Sequence, residues 1–231
     1  MKLYRLPNPA ALKKLPGAAI FFDMDSTLYT HDEYARTQIE LPIERLARLR
    51  EKSFEQMSGE ITAYRKNWAA AHNGQTISLG NTFTAFGISI EENIRWREEL
   101  YRPEHYLCED KKLYYALEML ASRFTLAVVT NNPVSIAMRT LSVLGVENLF
   151  HGIVGLDSCG VSKPHKQPFC KAVELCGAVI KHCVSVGDRY DIDIALPLEL
   201  GMGGVLVNGV EDVYKLPELF AISDLTDEKF N

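Results

Sequence analysis

Apolar and polar positions change pattern several times along the chain, and each change predicts an element. Ala18-Ala19-Ile20-Phe21-Phe22 is a short, unbroken apolar run closed by Asp23, as expected of a strand buried on both faces of a parallel sheet. Residues 124–129 repeat this pattern and end on Thr130-Asn131-Asn132. Asn132 then stands as a helix N-cap with Pro133 as first helical residue. Ile136, Leu141 and Leu144 follow at roughly helical spacing, and Gly145 offers a stop. Residues 152–155 form a weaker strand. Residues 167–176 read as a helix with Phe169, Ala172, Val173 and Cys176 on one face, stopped by Gly177. Residues 183–186 are a strand ending in Gly187-Asp188, residues 191–200 have helical spacing despite Pro197, and residues 204–207 supply a last strand. Strand and helix alternate from 124 to 207, which predicts an α/β domain with a mostly parallel sheet.

The stretch 30–104 has a different texture. Ile43, Leu46 and Leu49, then Phe54, Met57 and Ile61, recur among many charged residues without a convincing strand, while Gly59, Gly74, Gly80 and Gly87 stand at loop-like positions. This predicts a helical insertion, with residues 1–29 and 105–231 left as the core. The tail, 211–231, is acidic and reads as peripheral.

Composition narrows the possibilities. The chain has 231 residues, 47% of them hydrophobic, enough to bury a sizeable core without staples. The net charge is −5 and basic residues cluster no further than pairs such as Lys13-Lys14, which leaves no footprint for a nucleic-acid polymer. Prolines 7, 9 and 16 interrupt the first residues, and the first apolar run spans only 18–22, too short for a signal peptide core or a membrane span. Five cysteines without a C-x-x-C pair suit a reducing compartment, with Cys170 and Cys176 as small buried hydrophobes; the expectation is a cytoplasmic protein. Nothing in the sequence fixes an oligomeric state.

Ligands of open α/β sheets bind beyond the carboxyl ends of the strands. The polar residues there are Asp23-Met24-Asp25-Ser26-Thr27, Thr130-Asn131, Ser162-Lys163-Pro164, and Gly187 through Asp193. Each segment alone has a structural explanation as a cap or a solvated loop; together they form a chemical set. Asp23 and Asp25 are two apart and point to one side of an extended backbone. One carboxylate can attack phosphorus while the other protonates the leaving oxygen and later activates water. A divalent cation held by Asp23 and Asp188 would relieve the repulsion among the carboxylates, and all-oxygen ligands select magnesium over zinc. Thr130 can bind a phosphoryl oxygen and Lys163 can neutralise charge in the transition state.

The run Phe21-Phe22-Asp23-Met24-Asp25-Ser26-Thr27-Leu28 resembles motif I of the haloacid dehalogenase superfamily. Thr130 resembles motif II, Lys163-Pro164 motif III, and Gly187-Asp188 through Asp193 motif IV, all in the family's order. The resemblance implies a Rossmann-like, mostly parallel sheet with helices on both faces, and a helical cap of the C1 type inserted after motif I. It implies Asp23 as nucleophile and metal ligand, Asp25 as acid/base whose carbonyl also touches Mg2+, Asp188 as metal ligand, and Asp193 as support for the metal or the lysine. Asp25 speaks against the superfamily's dehalogenases and phosphonatases, which lack this second acid, and leaves phosphatases and phosphomutases; a non-catalytic binding module is a third reading. Substrate contacts are expected from Asn131, Arg189, Tyr29 and His31, with Tyr34, Trp68, His72 and Trp96 as further cap residues. For Trp68 and Trp96 cap core is the plainer role, and for Asp191 a helix cap. Arg189 reaches either the substrate phosphate or a neighbouring acid. The layout resembles phosphoglycolate phosphatase-like and pyrimidine 5'-nucleotidase-like members, so the expected partner is a small phosphorylated metabolite. Hinges are expected near 28–30 and 102–106.

Overall fold

The computed structural model describes residues 1–6, 9–13 and 15–222; Pro7, Lys14 and the end of the acidic tail, 223–231, lie outside the described residues. The sheet contains β1 (Lys2–Tyr4), β2 (Ala19–Phe22), β3 (Thr125–Val129), β4 (Gly152–Val154), β5 (Cys183–Gly187) and β6 (Gly203–Leu206), in the spatial order β1-β6-β5-β2-β3-β4. All neighbours run parallel except β1, which pairs antiparallel with β6 at the edge. β1 has no counterpart in the hydropathy pattern, because its residues are largely exposed and three residues carry no readable period. The chain leaves β2 toward β3 and returns on its other side as β5, so the crevice beside the end of β2 is the switch point of the sheet.

Alternation within β2 sends Ile20 and Phe22 to one face and Ala19 and Phe21 to the other, all four fully buried. On the first face they meet Leu113, Leu117 and Leu120 of the helix Lys111–Ala121 and Ala137, Leu141 and Leu144 of the helix Val134–Leu144. On the second they meet Phe169 and Ala172 of the helix Lys166–Leu175. Gly145 ends the helix Val134–Leu144 in the left-handed conformation, φ 74°. Residues 190–199 begin as a π-type turn, Tyr190–Ile194, before the short helix Ala195–Glu199.

Two expectations fail here. The described part of the tail is not peripheral: Val213, Leu216 and Phe220 are completely buried on the first face, while Glu211 and Glu218 between them face outward. The helices that carry Val213 and Leu216 ahead of Phe220, Val210–Val213 and Leu216–Leu219, are four residues each, too short to show a period. Cys170 is exposed rather than buried, because the helix Lys166–Leu175 turns Phe169 and Ala172 inward instead.

Four helices, Asp32–Leu49, Phe54–Ala71, Leu79–Ala85 and Ile90–Leu100, form the inserted cap. Each is started by a side chain that accepts a backbone N–H: His31, Ser53, Ser78 and Ser89, with Gln56 completing a capping box at Ser53. Gly59 and Gly80, expected in loops, lie inside helices; a side chain at Gly59 would meet nothing within 4 Å. The cap has its own apolar cluster, including Ile43, Leu46, Met57, Ile61, Phe83 and Trp96, separate from the two beside the sheet. Trp96 is fully buried there, whereas Trp68 is half-buried and stacks on His72 at 3.8 Å. The two chain crossings into the cap lie side by side: Tyr34 and Tyr106 stack at 5.0 Å, and Tyr101 Oη donates to the Gln38 carbonyl at 2.7 Å. Among the described residues no helix is long and apolar enough to cross a membrane.

Because Phe220 fills the core, Phe220→Ala is expected to cost about 3 kcal/mol in denaturant unfolding. A loss below ~1 kcal/mol would return the segment to the periphery.

Candidate active site

Asp23 continues β2 by one residue, its N–H donating to the Val186 carbonyl at 2.8 Å, so its carboxylate emerges at the switch point between β2 and β5. Beyond it the chain folds back on itself: Leu28 N–H donates to the Met24 carbonyl at 2.9 Å, and both of these side chains are fully buried. Ser26 takes a positive φ of 56° within this turn. The compact loop brings Tyr29 back against Asp25.

Lys163 is the centre of the site, only 1% exposed. Its ammonium donates to Asp23 Oδ1 at 2.7 Å and to Asp193 Oδ1 at 2.6 Å. Burial works against the charge, but Asp193 and Asp23 outweigh it and raise the Lys163 pKa above the ordinary lysine value. Asn131 positions the lysine: its Oδ1 accepts from Lys163 N–H at 2.7 Å, and its Nδ2 donates to the Lys163 carbonyl at 3.3 Å. Asp193 spends its other oxygen on Arg189 N–H at 3.1 Å, and its carbonyl accepts from Ser185 Oγ at 2.7 Å. The wide turn 190–194 carries Asp193 back over β5, so close that a Cβ on Gly187 would lie 2.4 Å from that of Asp193.

Two buried carboxylate oxygens have no hydrogen-bond partner among the described residues: Asp23 Oδ2 and Asp188 Oδ1. Asp23, Asp188 and Asp193 each offer an oxygen within 4.8 Å of the others. Three carboxylates around one ammonium leave excess negative charge, and orphaned hard oxygens are what a small divalent cation requires. The donor set therefore fits magnesium, with Asp23 and Asp188 supplying the free oxygens and Asp193 committed to Lys163 and the loop. Burial, then Asp23 and Asp193, pushes the Asp188 carboxyl up to about 7.

Asp25 faces the cavity from the opposite side. Its Oδ1 accepts from Tyr29 Oη and, at 3.2 Å, from Gln38 Nε2; its Oδ2 accepts from Asn132 Nδ2 at 2.7 Å. Burial and the nearby Asp23 raise its pKa, against the pull of the Tyr29 and Gln38 hydrogen bonds. Asn132 is thus not the N-cap of the following helix. Pro133 takes that place, and Asp157 Oδ1 accepts the Val134 N–H at 3.0 Å, because the Asn132 side chain is held by Asp25 and by Arg97 Nη1 at 2.6 Å. Thr130 is buried, with its hydroxyl accepting from Asn132 N–H at 3.1 Å.

Of the other predicted residues, His31 caps the helix Asp32–Leu49, with Nδ1 accepting Tyr34 N–H at 3.1 Å. Tyr34 is buried between Tyr29 and Tyr106. Asp191 accepts from Thr76 N–H and Oγ1 of the cap, both at 3.3 Å. Arg189 is exposed, its Nε 3.8 Å from Asp188 Oδ1. Three residues escaped the sequence reading: Asn132, Gln38 and Arg97. Asn132 adjoined the polar run after β3 and was legible; Gln38 and Arg97 sit in cap helices with no local signal. With Asp25, Asn131, Asp188 and Arg189 they line a cavity of about 230 Å³ between cap and core.

A helical cap over the carboxyl edge of a parallel sheet, closing on acids gathered about a lysine, puts the protein among the capped α/β hydrolases. It belongs to the haloacid dehalogenase-like hydrolase family, whose model matches residues 18–200. The chain is 35% identical to the phosphoglycolate phosphatase of Colwellia psychrerythraea over 92 residues, 36% of this chain and 41% of that protein, so it spans less than half of that relative's length. It is 26% identical to the pyrophosphatase PpaX of Listeria welshimeri over 157 residues, 65% of this chain and 72% of that one. Among solved structures, an HAD phosphatase from Thermococcus onnurineus shares the fold with a TM-score of 0.63 at 18% identity, over 89% of this chain and 99% of that one.

A carboxyl that folding pushes up to about 7 costs stability increasingly as pH rises from near 4 toward 7, because the unfolded chain ionises first. Asp188→Asn is therefore expected to raise the Tm of the metal-free protein at pH 8 by on the order of 5 °C, an effect that shrinks toward pH 4. Magnesium should raise the Tm of the wild type and leave that of the variant unmoved. No magnesium shift in the wild type would remove Asp188 from a cation site.

Proposed function

We propose that the chain is a magnesium-dependent phosphatase that hydrolyses a small phosphomonoester through an aspartyl-phosphate on Asp23. One observation carries this reading: Asp23 is fixed by Lys163 through Oδ1 while Oδ2, at the switch point of the sheet, has no partner. One Asp23 oxygen would attack phosphorus while the other joins Asp188 in holding the cation, and Asp25, an acid of raised pKa two residues on, lines the adjoining cavity. Bound by Asp23 and Asp188, magnesium would supply charge neutralisation and polarise the phosphoryl group.

In the first step an Asp23 oxygen forms a bond to phosphorus and the ester P–O bond breaks. Asp25 gives its proton to the departing alkoxide, making the free alcohol. Lys163 keeps the nucleophile oriented and balances charge on the phosphoryl oxygens, and the Thr130 hydroxyl and neighbouring N–H groups receive one of those oxygens. In the second step Asp25, now a carboxylate, takes a proton from water as that water attacks phosphorus. The P–O bond to Asp23 breaks, inorganic phosphate leaves, and both acids return to their starting states. Phosphate monoesters require barrier reductions of roughly 20 kcal/mol or more, which matches the use of several convergent groups.

The cavity of about 230 Å³ lies below the range of drug-sized pockets and supports a compact sugar or organic-acid phosphate over a nucleotide. The division into a core of 1–29 and 105–231 and a cap of 30–104 belongs to the same reading, supported by the separate apolar cluster of the cap. Opening of the cap about the paired crossings would admit the substrate.

Para-nitrophenyl phosphate turnover tests the proposal. Release of phosphate should require magnesium and fall about 10⁴-fold or more in Asp23→Asn. Phosphate released in equal amount to natural substrate consumed separates a phosphatase from a mutase; a bisphosphate requirement would overturn the reading. The pH profile gives a second check. The alkaline limb of kcat/KM reports loss of the Asp25 proton, and Tyr29 Oη lowers that pKa by its hydrogen bond. Tyr29→Phe should therefore move the limb upward by about 0.5–1 pH unit, and a downward move would contradict the assignment of Asp25.

A further inference from the structure

Two guanidinium groups line the cavity, and they differ in one respect. Arg189 lies 3.8 Å from the Asp188 carboxylate. Arg97, from the cap helix Ile90–Leu100, is 8% exposed and has no carboxylate within 4.0 Å among the described residues. A buried cation without an ion-pair partner is unusual, since desolvation is ordinarily offset by a counter-charge.

The surroundings of Arg97 fix its position without neutralising it. Nε donates to Asn93 Oδ1 at 2.9 Å, and Nη1 donates to the Asn131 carbonyl at 3.1 Å and to Asn132 Oδ1 at 2.6 Å. All of these acceptors are neutral. Nη2 makes no hydrogen bond among the described residues and is not among the buried, unpartnered atoms, so this edge of the fork is open to the cavity. Gly80 lies beside it, and a Cβ there would meet Nη2 in ordinary contact at 3.7 Å. Lys163 cannot serve a distal group of the substrate, because it is bound to Asp23 and Asp193.

We infer that Arg97 is an anion subsite that selects compact phosphomonoesters carrying a second negative group, a carboxylate above all. This rests on the phosphatase reading and names its substrate class. The phosphoryl group lies at Asp23, and the carboxylate at the other end of the molecule meets the open edge of the Arg97 fork. A carboxylate there supplies a direct ion-pair partner to a guanidinium whose charge otherwise reaches only Asp25, by way of Asn132, and a neutral hydroxyl does not. Arg97 belongs to the cap and its partners Asn131 and Asn132 to the core, so the subsite is complete only when cap and core are together.

The test compares 3-phosphoglycerate with glycerol 3-phosphate, which share three carbons and the phosphate and differ in carboxylate against CH2OH. The wild type should prefer the acid by ~100-fold in kcat/KM, and Arg97→Gln should bring the ratio close to one, mainly through KM. Arg97→Lys keeps the charge without the fork and should retain an intermediate ratio. Tyr29→Phe, which acts on Asp25 and makes no hydrogen bond to Arg97, should alter turnover of both substrates alike and leave the ratio unchanged. Robust, Asp23-dependent turnover with no preference in the wild type would overturn the subsite and leave the phosphatase standing. Absence of turnover on any phosphomonoester would overturn the phosphatase; calorimetric binding of the same two compounds to Asp23→Asn then decides the subsite, and equal or undetectable binding of both refutes it.

Discussion

The ammonium of Lys163, buried between Asp23 and Asp193, is the interaction on which the site depends. It joins three segments far apart in sequence: the end of β2, the loop after residue 160, and the turn after β5. Alone, each buried carboxylate would be costly; with the lysine between them, two of the charges become tolerable. The lysine is in turn oriented by Asn131 at the end of β3, so four strand-end segments are locked together by one charge and one amide. The remaining excess of negative charge falls on Asp188, whose carboxyl is pushed up to about 7. The same imbalance that penalises the empty site makes it fit a divalent cation.

A second layer of order comes from the cap. Asp25 is held on three sides, by Tyr29 beside it in the chain, by Gln38 of the first cap helix, and by Asn132 of the core. Asn132 is held in turn by Arg97 of the last cap helix. The acid is therefore oriented jointly by both parts of the molecule, and the electrostatics of the cavity depend on their contact.

The sheet was legible because strands buried on both faces read as unbroken apolar runs, and each ended on a polar cluster. Asp23, Asp25, Thr130, Lys163 and Asp188 were legible for a related reason: strand ends collect chemistry, and these residues stood at predicted strand ends. What escaped lacked that local signature. Gln38 and Arg97 are ordinary polar residues of amphipathic helices, and only tertiary packing brings them to Asp25. β1 is too short to show a period, and so are the four-residue helices that bring Val213 and Leu216 inward ahead of Phe220. Asn132 read as a helix cap and His31 as a substrate contact, but His31 caps a helix, whereas Asn132 is drawn to Asp25.

The cluster around Trp96 and Phe83 is distinct from both clusters beside the sheet, with Tyr34 of the first cap helix packing into one of these, and the contacts described between the two parts include hydrogen bonds such as Thr76 to Asp191 and Ser78 to Ser162. Substitutions within the cap's own cluster need not unsettle the packing beneath Asp23 and Asp193, whereas Gln38 and Arg97 tie the cap directly to the setting of Asp25. A change inside the cap's own cluster is thus confined to the cap, and a change at either of the two residues that reach Asp25 is felt in the core.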